Sequence, residues 1–389
     1  MKKIAIVCVA YNRLEPLKRL VQSLEHAWYD DMPVDLIISI DKSNTDVVEN
    51  YADTVKWNNG NFRVCKHVEN LGLRKHILSI GDLLENEYEA VVVLEDDIIV
   101  SPNFMRYVRQ CVDKYYDDER IAGISLYKSV INPDSRMPFE PLKNEFDVFF
   151  VNYAMSWGEV WMRKQWLEFR KWYNDNSAPF YLDYLPSNIN RWSDKSWLKY
   201  HIRYCYETNK FFVFPYESLA TNNDEAGTHV KKTRTINQTM LLSYSKLDYN
   251  LPTFDEQYIK YDTFFSPLFL AKYLKVEENE LTIDLFGKKK CMEYKRYVLS
   301  LQVFPFKIVR SYSLLQKPFE QNVINDIKGE GIYLYDTSIS AHNDNFNYFR
   351  IFEYYFGESY KHVIRNIPLT TIIKSKILEF IINLKRKRL

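Results

Sequence analysis

Glu95, Asp96 and Asp97 stand together in VVVLEDDIIVSPNF, residues 91–104, between two apolar runs. Three adjacent carboxylates at the end of a buried strand repel one another, and an unpaired charge there costs several kcal/mol or more. Ser101 and Pro102 read as the N-cap and first turn of the next helix, so the acids are not needed for capping. A divalent cation among them would remove the repulsion. Mg2+ and Mn2+ prefer carboxylate and phosphate oxygens and leave coordination positions open for a diphosphate. A metal bridging Asp97 to such a group would stabilise the charge developing on a leaving group.

The surrounding elements place other groups beside this triplet. Residues 3–10, 34–41, 62–68 and 91–97 are short β-rich runs. Between them Leu14, Leu17, Val21 and Leu24, then Leu73, Ile77, Ile80 and Leu84, recur at helical spacing. Alternating strands and helices predict βαβ units and a mainly parallel sheet. Ligands gather outside the carboxyl ends of such strands. Tyr11-Asn12-Arg13 follows the first strand, Asp41 ends the second and the acidic triplet ends the fourth, so all three should face one crevice.

Composition narrows the class. Lys and Arg number 52 against 51 Asp and Glu, so no global charge draws the chain to nucleic acid. Five scattered cysteines without a CxxC pair point to a reducing, cytoplasmic setting. The apolar run of MKKIAIVCVAYNR is too short for a signal peptide and reads as the first strand, and no stretch approaches the ~18 apolar residues of a membrane span. Aromatic residues make up 16%, which suits either sugar-binding surfaces or a dense core. There is no P-loop, no DxD on the first strand and no glycine-rich loop after it, so P-loop NTPases, dehalogenase-like phosphotransferases and sugar nucleotidyltransferases fit poorly.

The segments IAIVCVAYNR, LIISIDKS, NLGLRKHILSIGDLL and AVVVLEDDIIVSPNFMRYV resemble the successive nucleotide-binding elements of GT-A-fold glycosyltransferases. They are most similar to the N-acetylglucosaminyltransferase I type, which carries EDD in place of DxD. The resemblance covers about residues 1–235. It implies a GT-A-like, Rossmann-type α/β fold: a mixed, mainly parallel sheet flanked by helices. It implies that Ala10, Tyr11 and Arg13 line a uridine pocket and that Asp41 contacts base or ribose. Arg74 or Lys75 would lie near the nucleotide, Glu95 would belong to the nucleotide-sugar site, Asp96 would contact ribose or sugar, and Asp97 would hold Mn2+ or Mg2+. A carboxylate must also take the acceptor hydroxyl proton in an inverting transfer. The family's Trp-Asp-Asp-Trp-like helix start corresponds most nearly to RWSDKSW, residues 191–197, which makes Asp194 the candidate base and Glu159, in SWGEVW, its rival. Trp157 would sit under the donor sugar. His229, in ATNNDEAGTH with Gly227 as its bend, would reach the phosphates or metal from a loop closing over the donor.

The expected activity is transfer of a sugar, GlcNAc or a related hexose, from a UDP-sugar to a hydroxyl of a glycan or lipid-linked oligosaccharide, in bacterial surface polysaccharide synthesis. A catalytically silent glycan-binding protein and a metal-dependent nucleotidyltransferase remain alternatives. A catalytic domain over 1–250 and a smaller α+β unit over 251–389 are expected. The helix predicted over 194–208 would follow Asp194 as its own N-cap. The tail IIKSKILEFIINLKRKRL is basic and amphipathic; it either docks on the core or rests on the inner face of the cell membrane as a peripheral contact.

Overall fold

The structure is a computed structural model that describes residues 2–223, 237–289, 295–343 and 348–357, with isolated positions from 365 to 377. In chain order the body contains β1 (Ile4–Ala10), α1 (Leu14–Glu25), β2 (Asp35–Ile40), α2 (Val47–Ala52), β3 (Phe62–Lys66), α3 (Leu73–Gly81), β4 (Ala90–Glu95), β5 (Ile98–Val100) and α4 (Phe104–Tyr115). It continues with β6 (Ile121–Ser125), β7 (Val148–Val151), β8 (Glu159–Met162), α5 (Arg163–Asn176), α6 (Ser187–Arg191), α7 (Leu198–Thr208), β9 (Phe211–Pro215), β10 (Ala220–Asn222) and β11 (Lys260–Tyr261).

Nine of these strands form one sheet in the order β11-β7-β9-β6-β8-β4-β1-β2-β3. Its β4-β1-β2-β3 half is parallel throughout. β8 enters antiparallel between β4 and β6. The reason the first strands read so clearly is that every residue of β1 and β2 is buried, because helices cover both faces of a parallel sheet. Alternate residues feed two cores. Ala5, Val7, Val9, Val91 and Val93 pack toward α3, α5 and α7, whereas Ile6, Cys8, Val92 and Leu94 pack toward α1 and α4. On α1, Leu17, Leu20, Val21 and Leu24 supply the buried stripe. This is the GT-A-like arrangement that the sequence implied.

A smaller unit follows: α8 (Ala271–Leu274), β12 (Leu281–Ile283), β13 (Tyr297–Ser300), β14 (Phe306–Tyr312), α9 (Phe319–Ile324), β15 (Ile332–Ser340) and α10 (Tyr348–Phe356). Its four strands form a separate sheet ordered β12-β13-β15-β14. Leu285, Leu299, Phe319, Val323 and Leu334 join the same apolar cluster as Val91 and Val93. Buried Lys289 adds a clasp, donating from Nζ to Asp262 Oδ2 at 2.5 Å.

Two local expectations shift. α4 begins at Phe104 rather than directly after Ser101, and Asn103 occupies the cap position without a side-chain cap bond. Ser101 instead accepts from Asn103 N at 3.2 Å and donates to the Leu242 carbonyl, tying the turn to a distant segment. α7 begins at Leu198, not 194, so Asp194 lies in the preceding turn and does not cap it. Among the described residues no helix is long and apolar enough to cross a membrane. Most of the basic C-terminal tail lies outside the described residues.

Candidate active site

Register brings the chemistry together. Val9 lies opposite Glu95 and Ala10 opposite Ile40, so the carboxyl ends of β1, β2 and β4 open into one crevice. Arg13, Asp41 and the acidic triplet meet there. Asp96 is 4% exposed, and burial raises its pKa to about 6 against the opposing pull of Arg13. The Glu95 carboxyl is pushed up to about 8, first by burial and then by Asp97 and Asp96.

The triplet's compensating charge comes partly from within the chain. Arg13 Nε donates to Asp96 Oδ2 at 3.3 Å, and its Nη2 donates both to Asp96 Oδ1 and, at 3.0 Å, to Asp97 Oδ2. The repulsion that a divalent cation was expected to remove is thus already eased in part by this chain: one guanidinium spans two of the three acids. Asn222 Nδ2 donates to Asp97 Oδ1 at 3.2 Å. A two-stranded ribbon holds that contact in place, with β5 and β10 antiparallel and Asn223 N donating to the Asp97 carbonyl at 2.8 Å.

Asp41 is buried and its oxygens accept backbone N–H groups from Lys42 at 2.9 Å, Leu71 at 2.8 Å and Gly72 at 2.9 Å. It thus pins the loop leading into α3. Gly72, with φ of 73°, makes that turn without steric cost. Behind it His76 Nε2 lies 2.7 Å from Ser39 Oγ, and burial lowers the His76 pKa to about 4, so this imidazole is neutral.

Arg74 does not reach toward the triplet. It donates to the Asp194 carbonyl at 2.7 Å and to Tyr200 Oη at 2.9 Å, and its guanidinium lies over the Tyr200 ring. Lys75 is exposed on the first turn of α3. Through Arg74, Asp194 is tied to the same side of the sheet as Asp41. Its carboxylate is 51% exposed and accepts from Lys199 Nζ at 2.8 Å, while Lys199 itself is buried and also donates to the Trp192 carbonyl.

Glu159 stands on β8 opposite Val93, near enough to Glu95 to add, after burial, Asp97 and Asp96, to the rise in its pKa. It is 0% exposed, 3.2 Å from His201 Nδ1, and covered by the stacked Trp161–Trp166 pair and by Phe169 against His201. No acceptor can touch it in this conformation. Trp157 is half-buried and packs edge-on to Tyr127 at 4.8 Å. Tyr11 stays exposed at the crevice mouth, and Ala10 is buried with its carbonyl accepting from Asp41 N. His229 and Gly227 lie outside the described residues. Asn222, Lys199 and His201 were not singled out from the sequence. Asn222 had a signal in the polar ATNN run, and the other two in polar residues falling on the buried face of an aromatic helix.

Among the described residues no group of three His, Cys, Asp or Glu side chains converges as a metal cage. What the corner offers is two part-exposed carboxylates, Glu95 and Asp97, on either side of buried Asp96, with Arg13 on Asp96 and Asp97. That donor set suits a hard cation completed by phosphate and water oxygens, not a closed structural site.

Residues 5–170 match the family model of glycosyl transferase family 2. Arg13, Asp41 and the acidic triplet all lie within that matched segment. The match covers less than half of the chain. Among solved structures, TarS of S. aureus, residues 1–349, is 14% identical over 56% of this chain and 59% of that one, with a TM-score of 0.36. The same protein in complex with UDP-GlcNAc is 15% identical over 59% of this chain and 60% of that one, at 0.33. A mannosyltransferase from Pyrobaculum calidifontis, in complex with GDP-Man and Mn2+, is 11% identical over 59% of each chain, at 0.37. The chain thus spans about 60% of the length of these neighbours. No curated protein matches the chain.

Proposed function

We propose that the protein transfers a sugar from a UDP-sugar to a hydroxyl of a glycan acceptor with inversion, and that Asp97 holds a divalent cation, Mn2+ or Mg2+, while it does so. The observation that carries this reading is the acidic corner at the end of β4, facing Arg13 and Asp41 inside the family-matched segment. The N-acetylglucosaminyltransferase I likeness of the EDD triplet supports a GlcNAc or related hexose donor. In this reading Tyr11 and Ala10 border the base, Asp41 fixes the loop that shapes the pocket, and Glu95 and Asp96 face ribose or sugar.

Asp194 accepts the acceptor's proton as the hydroxyl oxygen bonds to the anomeric carbon, and the bond from that carbon to the diphosphate oxygen breaks. Its half-exposed carboxylate, with buried Lys199 on one oxygen, suits a base that must meet solvent-borne substrate. A bound cation would neutralise charge on the departing diphosphate. Glycan or lipid-linked acceptors, a cytoplasmic site and contact with the membrane face through the tail belong to the same proposal.

The test is a panel of nucleotide-sugars, scored by protection from thermal unfolding and by release of nucleoside diphosphate, with and without chelator. UDP-sugars should protect and release UDP only with metal. Release of pyrophosphate would indicate nucleotidyl transfer, and sugar binding without nucleotide or metal would indicate a silent glycan-binding protein.

A further inference from the structure

Arg13 stands after Tyr11 and Asn12 in the short turn from β1 to α1, at the cap position of α1, with an extended backbone (φ −102°, ψ 100°). Its side chain rises from the crevice floor and is 26% exposed, so it can move without unpacking either core. One guanidinium meets both Asp96 and Asp97, and it takes Asp97 on Oδ2 while Asn222 takes Oδ1. Both oxygens of the carboxylate proposed to hold a cation are thus already engaged by donors of this chain. A bidentate or bridging arginine is a strong partner for carboxylates, and equally for a diphosphate.

We propose that Arg13 is a displaceable counter-ion: it competes with the divalent cation for Asp97 and releases it when a nucleotide diphosphate offers the guanidinium a new anionic partner. The inference rests on the metal reading above. Its consequence is thermodynamic coupling. Nucleotide strengthens metal binding, and by reciprocity metal strengthens nucleotide binding by the same factor. With no nucleotide present, the arginine keeps the acids paired and the metal weakly held.

Titration of Mn2+ alone, followed by the electron paramagnetic resonance signal of the free ion, tests this on the whole chain. Arg13→Gln removes the competing charge and should bind Mn2+ more tightly than wild type, on the order of tenfold. Arg13→Lys keeps the charge but cannot span two carboxylates, and should fall between them. Excess UDP should tighten Mn2+ binding markedly in wild type and little in Arg13→Gln. Removing one partner of a part-buried ion pair lowers stability, so a second readout is the rise in unfolding temperature on adding Mn2+, which should be larger for Arg13→Gln than for wild type. If Arg13→Gln does not fold, Arg13→Lys decides by the same comparison. Mn2+ affinity equal to or weaker than wild type in folded Arg13 variants would overturn the competition. Mn2+ affinity unmoved by Asp97→Asn would instead overturn the metal assignment on which it rests.

Discussion

At the scale of single residues, the site is an exercise in charge compensation. Asp96 and Asp97 share the Arg13 guanidinium, and burial together with their negative charge raises the pKa of Glu95 to about 8. A carboxyl whose folded pKa lies above its ordinary 4.5 binds protons more tightly folded than unfolded, so its stability contribution falls as pH rises from about 4.5 to about 8. Glu95→Gln, which keeps the shape and removes the charge, should therefore stabilise the metal-free protein by roughly 1–3 kcal/mol above pH 8 and by almost nothing near pH 5. Chemical denaturation at the two pH values checks this; equal effects at both would remove the electrostatic explanation. Lys199 is the second residue of interest, because this buried ammonium holds the Asp194 carboxylate at 2.8 Å. Lys199→Met should lower kcat with little change in the donor KM, because the Asp194 carboxylate loses the ammonium that positions it. Equal damage to kcat and KM together with a lowered melting temperature would leave Lys199 a packing residue. The sequence made the acids and Arg13 legible as neighbours, since each ends or follows a buried strand. It did not reveal that they pair, because contact between residues 83 positions apart depends on side-chain reach across two strands.

At the scale of elements, the parallel half of the sheet was legible from its continuous apolar runs, which only a doubly covered strand sustains. β8 was less so. SWGEVW signals a turn and a strand, but nothing local says that the strand inserts antiparallel between β4 and β6, burying Glu159 where a surface base was an option. The start of α7 was misjudged by the same limit: Asp194 looks like a cap, yet Lys199 and Arg74, contacts made after folding, draw its turn out of the helix. The turn before β8 gives a prediction at this scale. Gly158 has φ of 85°, and an added Cβ would stand 3.0 Å from Cβ atoms of Ala220 and Leu126. Ala220 begins β10, whose far end carries Asn222 to Asp97. Gly158→Ala should cost about 2–3 kcal/mol from left-handed backbone strain and crowding together. It should also weaken nucleotide binding by displacing Asn222. Unfolding and UDP titration measure the two effects; full stability would contradict the packing described.

At the scale of the whole molecule, the segment after residue 250 packs its aromatic residues into the core of the large sheet. Tyr261 accepts from Leu142 N at 2.8 Å, and Phe265 and Phe269 share a core with Phe139 and Phe149. A fragment ending at residue 250 would expose these aromatics and strip β11 from the edge of the sheet. It should aggregate or unfold at least several degrees lower than the full chain, as read by light scattering and thermal melting. A soluble fragment with unchanged melting would make residues 251–389 an independent domain. The loosened pattern beyond 250 suggested a boundary because loops there are rich in Pro, Asp and Tyr. What that pattern hides is that several of those tyrosines are buried, with Tyr261 fully enclosed.

The central claim is that the corner formed by Arg13, Asp96 and Asp97 receives a nucleoside diphosphate together with a divalent cation. Calorimetric titration of UDP into the full chain, with Mn2+ and then with chelator, measures it most directly. The account predicts binding that depends on Mn2+ and is lost in Asp97→Asn while the fold is retained. UDP bound equally well by both proteins, with or without the ion, would contradict it.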